Sequence, residues 1–392
     1  MVTLGDKAMK KAVVLGAGMV GTVMAADLAG DPGFEVTLVD IRSESLEKAK
    51  KHAGKMGVEI QTQVADLGDV SVLKDVIAGF DIVLGALASK IGFASLRAII
   101  ESGKNYADIS FMPEDAWDLD ALAKEHGVTA VVDCGVAPGM SNMLAGYGES
   151  LLEDCQNIEI YVGGLPRVRN WPFEYKAGFS PADVLEEYTR PSRIVEHGKI
   201  VVREALSEPE LMDFDGLGTL ESFNTDGLRS LAYSMDVPFM KEKTLRYPGH
   251  IELMRVFRET GLFRQERIDV DGGSVKPLDV ISKLMFPKWT YEELEEDLTI
   301  MRVLVDGTDQ AGKSVRHQWD LLDYFNKGAT SMSRTTALPC AIIARMIAND
   351  EITMRGVITP ELLGPQTGLV DHVLHELGQR DIAYSYAQSS VD

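Results

Sequence analysis

His250 is the side chain best suited by type to move a proton near neutral pH, because an unperturbed imidazole titrates at about 6.5. It also follows the turn Tyr247-Pro248-Gly249, where a purely structural histidine would sit, so both roles are open. Asp226, between Thr225 and Gly227, offers a carboxylate to an ammonium group on a turn opened by glycine, or else serves its own backbone in an Asx turn. Arg246 and Arg334 carry the guanidinium fork that grips a carboxylate with two parallel hydrogen bonds. A plain ion pair accounts equally well for Arg246, and a charge at a helix start for Arg334. Thr335 and Thr336 either bond a carboxylate or cap that helix.

A second set of residues suits a dinucleotide. The apolar run Lys11-Ala-Val-Val-Leu15 breaks into Gly16-Ala-Gly18-Met19-Val20-Gly21. At this spacing Gly16 permits a tight turn, Gly18 leaves no Cβ in front of a pyrophosphate, and Gly21 lets a helix pack close to the preceding strand. The N–H groups of Met19 to Gly21, at the positive end of the helix dipole, would then face phosphates. Glu35-Val-Thr-Leu-Val-Asp40 is a second β-rich run, and its Asp40 falls 19 residues after Gly21. A carboxylate there accepts hydrogen bonds from the adenosine ribose and favours NAD, whereas Arg42 would cradle the 2′-phosphate of NADP. NAD is the expectation and NADP the alternative; a solvated strand end or a helix cap is the bland role for Asp40.

The elements that must position these residues alternate between strand and helix. Ser43 to Gly54 reads as an amphipathic helix with Ser43 as cap, and Val58 to Val64 as a third strand ending at Asp66-Leu67. Asp66 would border an adenine or cap the helix beginning near Asp69. Phe80 to Leu87 is a fourth, doubly buried strand, and its small residues, with Ala86, Leu87, Ala88 and Ser89 at the end, leave room for a nicotinamide. Lys104 to Ile109 and Val128 to Cys134 are two more strands, with helix from Glu114 to His126 between them. Their ends bring Asp108, Ser110, Asp133 and Cys134 to the same edge, although an inert buried cysteine is the commoner outcome at Cys134. Six strands alternating with helices imply a Rossmann-type doubly wound parallel sheet whose ligands sit at the carboxyl ends of the strands.

Composition narrows the classes. With 392 residues and 45% hydrophobic content the chain exceeds one comfortable core, and two domains are expected. A formal charge of −21 opposes binding to nucleic acid or to an anionic membrane surface. No apolar run approaches the roughly 20 residues of a membrane span, and no signal peptide is evident, so the cytoplasm is the expected location. Three cysteines, Cys134, Cys155 and Cys340, show no metal-ligand spacing, and no metal is expected. Residues 1–9 read as a short leader.

Beyond Pro138, taken as the first turn of a helix running to about Glu153, the pattern changes to strands and loops rich in aromatics and charge. Ile158 to Val162, Lys199 to Arg203 and Ile300 to Val305 read as strands, and Thr290 to Glu296 as helix. Arg334 to Asn349 and Gly368 to Gly378 are further helices. The expected organisation is a dinucleotide domain over 1–136, an inserted second α/β domain over 137–330, and C-terminal helices over 331–392 that return to the first domain.

Several patches resemble one family. Asp133-Cys-Gly-Val-Ala-Pro-Gly-Met-Ser-Asn142, Gly163-Gly-Leu-Pro166, Phe179-Ser-Pro181, Glu187-Tyr188, Thr225-Asp-Gly-Leu228 and Arg334-Thr-Thr336 are similar to the saccharopine dehydrogenase-like oxidoreductases. Glu221-Ser-Phe-Asn-Thr-Asp-Gly-Leu228 and Lys243-Thr-Leu-Arg-Tyr-Pro-Gly-His250 tilt the resemblance toward the lysine 6-dehydrogenase branch. The resemblance implies an NAD(P)-dependent oxidation at a C–N bond of L-lysine or a close relative, with the ε-amine leaving a semialdehyde or cyclic imine. It further implies an inserted domain used for substrate binding and homodimer or higher homo-oligomer formation, and a family lysine at Lys176 near the substrate. Under this reading His250, Asp226 and Lys176 are catalytic, and Thr225, Asp226, Gly227, Arg246, Arg334, Thr335 and Thr336 bind substrate. Arg264 to Glu295 matches no motif. The alternatives are a saccharopine or carboxynorspermidine dehydrogenase, or a non-catalytic NAD-binding sensor.

Overall fold

The computed structural model describes residues 9–292 and 295–391, so the expected leader lies outside the described residues except for Met9. The chain forms two compact units. One runs to Gly146 and takes in Lys327–Ala329 and Ser333–Asp381; the other comprises Tyr147–Asn326, Thr330–Met332 and the chain from Ile382 onward.

The first unit is built on a parallel sheet. Its strands in chain order are β1 (Lys10–Leu15), β2 (Phe34–Asp40), β3 (Gln61–Val64), β4 (Ile82–Gly85), β5 (Asn105–Asp108) and β6 (Thr129–Val131). A seventh strand, Gly356–Ile358, completes the spatial order Gly356–Ile358, β6, β5, β4, β1, β2, β3. All neighbours are parallel, with β1 between β2 and β4 and the order reversing there. Helices cover both faces, so the central strands are buried on both sides, which is why Ala12–Leu15 and Ile82–Gly85 show no polar alternation. Val13, Leu15, Val39, Leu73, Ile77, Val83, Leu96 and Ile99 share one core there.

Several local expectations change. The helix Ser43–Lys55 has Arg42 rather than Ser43 in its capping position, without a side-chain cap bond. Asp69, not Asp66, caps Val70–Ile77 by accepting the Ser71 amide at 2.8 Å. The single helix expected over Glu114–His126 is a short 3-10 turn, Ala116–Leu119, followed by Asp120–Glu125. Pro138 is not in the first helical turn: it follows a cis peptide bond, and the helix begins at Met140.

The second unit carries a mixed sheet of nine strands. Asp154–Pro166 lies at its centre, parallel to Phe239–Arg246 and antiparallel to Asp297–Thr308. Alternation along Phe239–Arg246 places Met240, Glu242, Thr244 and Arg246 on one face. Tyr175, Tyr188, Phe223, Met254 and Trp289 form a core in this unit. The helix expected at Thr290–Glu296 is replaced by Pro277–Trp289, and Thr290 is already extended with ψ 132°. Glu295 bonds the Glu292 amide at 3.0 Å, so this acid closes a loop instead of continuing a helical face. Glu293 and Leu294 lie outside the described residues. At the C-terminus, Ser331–Ala348 begins three residues before Arg334, and Leu369–Gln379 is the second long helix.

 Helix Leu369–Gln379 has Gly368 in its capping position. The last strand, Tyr384–Ser390, pairs with Ser314–Tyr324 in the second sheet, so the segment 331–392 does not return whole to the first unit.

Candidate functional site

In the first unit the strand β1 leads into Gly16, whose φ of +102° is the left-handed region that favours glycine. A Cβ on Gly16 would collide with the Ala86 carbonyl oxygen, and one on Gly21 with the Gly16 carbonyl oxygen. A Cβ on Gly18 would meet nothing within 4 Å, so this glycine faces open space while the other two are packed from below. Gly18 also occupies the capping position of Met19–Ala29 without a side-chain cap, which leaves the first helical N–H groups of Met19, Val20 and Gly21 to bond an anion. These features fit a dinucleotide pyrophosphate.

Asp40 ends β2 and is only 7% exposed. Its Oδ2 accepts the Ala17 amide and its Oδ1 the Arg42 amide, each at 2.8 Å. The Arg42 guanidinium stands 3.4 Å from Oδ1 with its side chain 67% exposed. Asp66 accepts the Gly68 amide at 3.0 Å, and Leu67 is buried. At the end of β4 the Ala86 amide bonds the Leu15 carbonyl and the Leu87 amide bonds Ser110 Oγ at 3.1 Å. Ala88 is the capping residue of the helix that opens at Ser89.

Asp108, at the carboxyl end of β5, is fully buried. Its Oδ1 accepts the Ser110 amide at 2.8 Å, while its Oδ2 has no partner among the described residues. Burial pushes this carboxyl up to about 6, with Ser110 and the adjacent Tyr106 hydroxyl opposing the rise and the neighbouring Asp133 adding to it. Tyr106 Oη and Asp108 Oδ1 together fill the place where a Cβ on Gly85 would stand. The Cys134 amide bonds the Asp108 carbonyl at 2.8 Å, and both Cys134 and Cys340 are buried. Burial and the Cys134 thiol drive the Cys340 thiol well above its ordinary range, so neither chemistry nor exposure marks Cys340 as a nucleophile. Thr335 and Thr336 lie on the helix Ser331–Ala348, and Arg334 donates to the carbonyl oxygens of Arg380 at 2.8 Å and Asp381 at 3.4 Å. Its guanidinium therefore secures the chain after Leu369–Gln379.

In the second unit His250, Arg246, Tyr188 and Glu187 form a closed polar chain. Arg246 donates from Nε to Tyr188 Oη and from Nη2 to Glu187, each at 3.0 Å, and its guanidinium lies 4.4 Å from the ring centre of Tyr175. His250 Nδ1 is 2.8 Å from the Phe173 carbonyl oxygen, which can only accept, so Nδ1 carries the hydrogen. Nε2 then accepts from Tyr188 Oη at 2.9 Å. Burial, reinforced by the Arg246 charge, drives the imidazole down to about 3. His250 is thus a neutral, doubly bonded structural group, which removes the reason for expecting it to exchange protons near neutrality.

The other expected residues divide similarly. Asp226 is gripped by Arg193, with Nε at 2.8 Å and Nη2 at 2.7 Å, so its carboxylate is not open to an ammonium. Lys176 is ion-paired with Glu295 and also donates to the Thr290 carbonyl. Thr225 donates to the buried Glu242 and lies 2.8 Å from Thr244 Oγ1, and a Cβ on Gly227 would collide with the Glu242 carboxyl. Burial pushes Glu242 up to about 8. Glu242 was not among the residues expected from the sequence, although period-two alternation from Arg246 and Thr244 puts it on their face of the strand. Among the described residues no group of three or more His, Cys, Asp or Glu side chains could hold a metal ion.

Comparison with known proteins gives two family matches that together cover most of the chain: "Saccharopine dehydrogenase NADP binding domain" over residues 12–131 and "Saccharopine dehydrogenase C-terminal domain" over residues 135–382. The mouse protein "Alpha-aminoadipic semialdehyde synthase, mitochondrial" is 24% identical over 91% of this chain, which spans only 46% of that relative. "Carboxyaminopropylagmatine dehydrogenase" of Synechocystis is 21% identical, covering 96% of this chain and 97% of its own. The apo saccharopine dehydrogenase (L-Glu forming) of Saccharomyces cerevisiae shares the fold, with a TM-score of 0.80 at 17% identity over 97% of this chain and 100% of the yeast one.

Proposed function

The chain belongs to the saccharopine dehydrogenase family, and from that premise we propose that it is an NAD(P)-dependent amino-acid dehydrogenase that oxidises a C–N bond of L-lysine or a lysine-derived amino acid. The observation that carries this reading is Asp108: a buried carboxyl with an unpartnered oxygen at the carboxyl end of a dinucleotide-type sheet, raised to about 6. When bound, the pyridine nucleotide accepts the hydride from the carbon bearing the nitrogen. Asp108 is the final acceptor of the proton released from that nitrogen, which reaches the buried carboxyl by relay through neighbouring groups rather than by contact with the substrate, and its raised pKa sets the exchange near neutral pH. The Ser110 amide holds the other oxygen and its hydroxyl accepts the Leu87 amide, so the carboxyl and the β4 turn are set by one residue.

L-Lysine is the substrate we favour over an adduct bearing further carboxylates, such as saccharopine. Each added carboxylate calls for a further cationic anchor, and the two arginines best suited by type, Arg246 and Arg334, are engaged by Glu187 and Tyr188 and by the Arg380 and Asp381 carbonyls. Thr335 and Thr336, near the start of Ser331–Ala348 in the same unit as Asp108, remain part of this proposal as residues that recognise the amino acid. The unpartnered acid at the sheet edge favours a catalyst over a non-catalytic sensor, which would have no use for it. Purified protein incubated with L-lysine, saccharopine or carboxynorspermidine and either nucleotide tests the reading by absorbance of the reduced nicotinamide. Reduction with L-lysine is expected; binding of nucleotide without reduction by any of these substrates would leave the sensor reading.

A further inference from the structure

The sequence offers Asp40 as an acceptor for the adenosine ribose, but the carboxylate is turned back into its own fold. One oxygen holds the Ala17 amide, inside the glycine turn, and the other holds the Arg42 amide just past the strand, both at 2.8 Å. The residue is 7% exposed, and the guanidinium that stands beside it belongs to the far more exposed Arg42. The same turn is fixed from below, since the Gly16 amide bonds the Val39 carbonyl at 2.8 Å and the Ala86 carbonyl occupies the space a Gly16 side chain would need. Ala17 N–H would otherwise have no place in the β1 ladder or in the helix that starts at Met19.

We propose that Asp40 is a positioning residue for the glycine turn, fixing the backbone between Gly16 and Gly18 where the pyrophosphate binds, rather than the group that selects between NAD and NADP. The carboxylate charge is compensated by two backbone N–H groups and an adjacent guanidinium, which weakens its repulsion of a 2′-phosphate. Both nucleotides then depend on Asp40, because both carry the pyrophosphate that the turn receives. This inference rests on the reading that the first unit takes a pyridine dinucleotide and makes no use of the amino-acid substrate.

Titration of the full chain with NADH, NADPH, ADP-ribose and adenosine, without amino acid, tests it for wild type and D40N. In D40N one carboxamide face still accepts, while its NH2 confronts a backbone N–H. The proposal expects NADH, NADPH and ADP-ribose to weaken together by about tenfold or more, with the NADH to NADPH ratio and adenosine binding each within about twofold of wild type. Loss of NADH with unchanged or tighter NADPH, an equal loss for adenosine, or no loss at all would overturn it. Should D40N fail to fold, backbone amide exchange in the wild-type apo chain decides: the Ala17 amide is expected to be protected, and exchange at the rate of an open turn contradicts the proposal. Failure here leaves the proposed oxidation standing, since that is read from turnover rather than from nucleotide preference.

Discussion

Tyr188 Oη donates to His250 Nε2 at 2.9 Å while accepting from Arg246 Nε at 3.0 Å, so the phenol links a buried guanidinium to a neutral imidazole in one directed chain. Protonating His250 would take away the acceptor that Tyr188 uses. The histidine that the sequence offers for proton transfer is thereby committed to structure.

The H250Q variant is expected to lose about 1–3 kcal/mol of stability, because Tyr188 and the Phe173 carbonyl each lose a well-placed partner in a buried site. It should keep the acid limb of the kcat/KM profile. The folded pKa of His250, about 3, lies below its ordinary 6.5, so its contribution to stability is present above pH 6.5 and is lost as pH falls toward 3. Chemical denaturation between those limits should show a shallower decline for the variant than for wild type.

Asp108 behaves in the opposite sense. Its folded pKa of about 6 lies above the ordinary 3.8, so folding stability rises as pH falls from 6 toward 3.8, and the ionised group is a burden at neutral pH. D108N should therefore be at least as stable as wild type at pH 7 while kcat falls by roughly 10²- to 10⁴-fold, as expected for loss of a general base. Melting temperature and steady-state rates measured on one preparation check both halves.

Glu242, in the second unit, provides a second titration. Burial raises it from 4.5 to about 8, so wild type loses stability as pH climbs through that interval and then levels off. E242Q keeps the shape of the neutral acid and should become progressively more stable than wild type from pH 4.5 to 8. A denaturant series across that range should show the difference growing and then holding constant.

The glycines separate folding from binding. G18A places a methyl in open space and should fold within about 1 kcal/mol of wild type, the cost of a poorer helix cap, yet bind NADH at least tenfold more weakly. G21A, whose methyl would strike the Gly16 carbonyl, should be strongly destabilised. Calorimetric unfolding beside NADH titration distinguishes the two.

The first sheet was legible because buried parallel strands leave continuous apolar runs, as in Ala12–Leu15 and Ile82–Gly85, and because the glycine spacing identified the turn. Gly356–Ile358 was not, since three residues carry no periodicity and its pairing with Thr129–Val131 spans more than half the chain. The candidate site was read by residue type, and type did not reveal commitments made over long separations: Arg193 to Asp226, Tyr188 to His250, Glu295 to Lys176. Asp108 was visible as a residue at a strand end, but its burial, which gives it a proton-accepting range, depends on the packed sheet.

The most direct test of the proposed chemistry is the reduction of nicotinamide by L-lysine, followed in wild type and in D108N across pH 5 to 9. Wild type is expected to reduce the nucleotide, with activity falling below an apparent pKa near 6, and D108N to bind NADH while being nearly inert. Unimpaired turnover by D108N, or NADH binding by a wild type that oxidises neither lysine nor a lysine-derived amino acid, would contradict it.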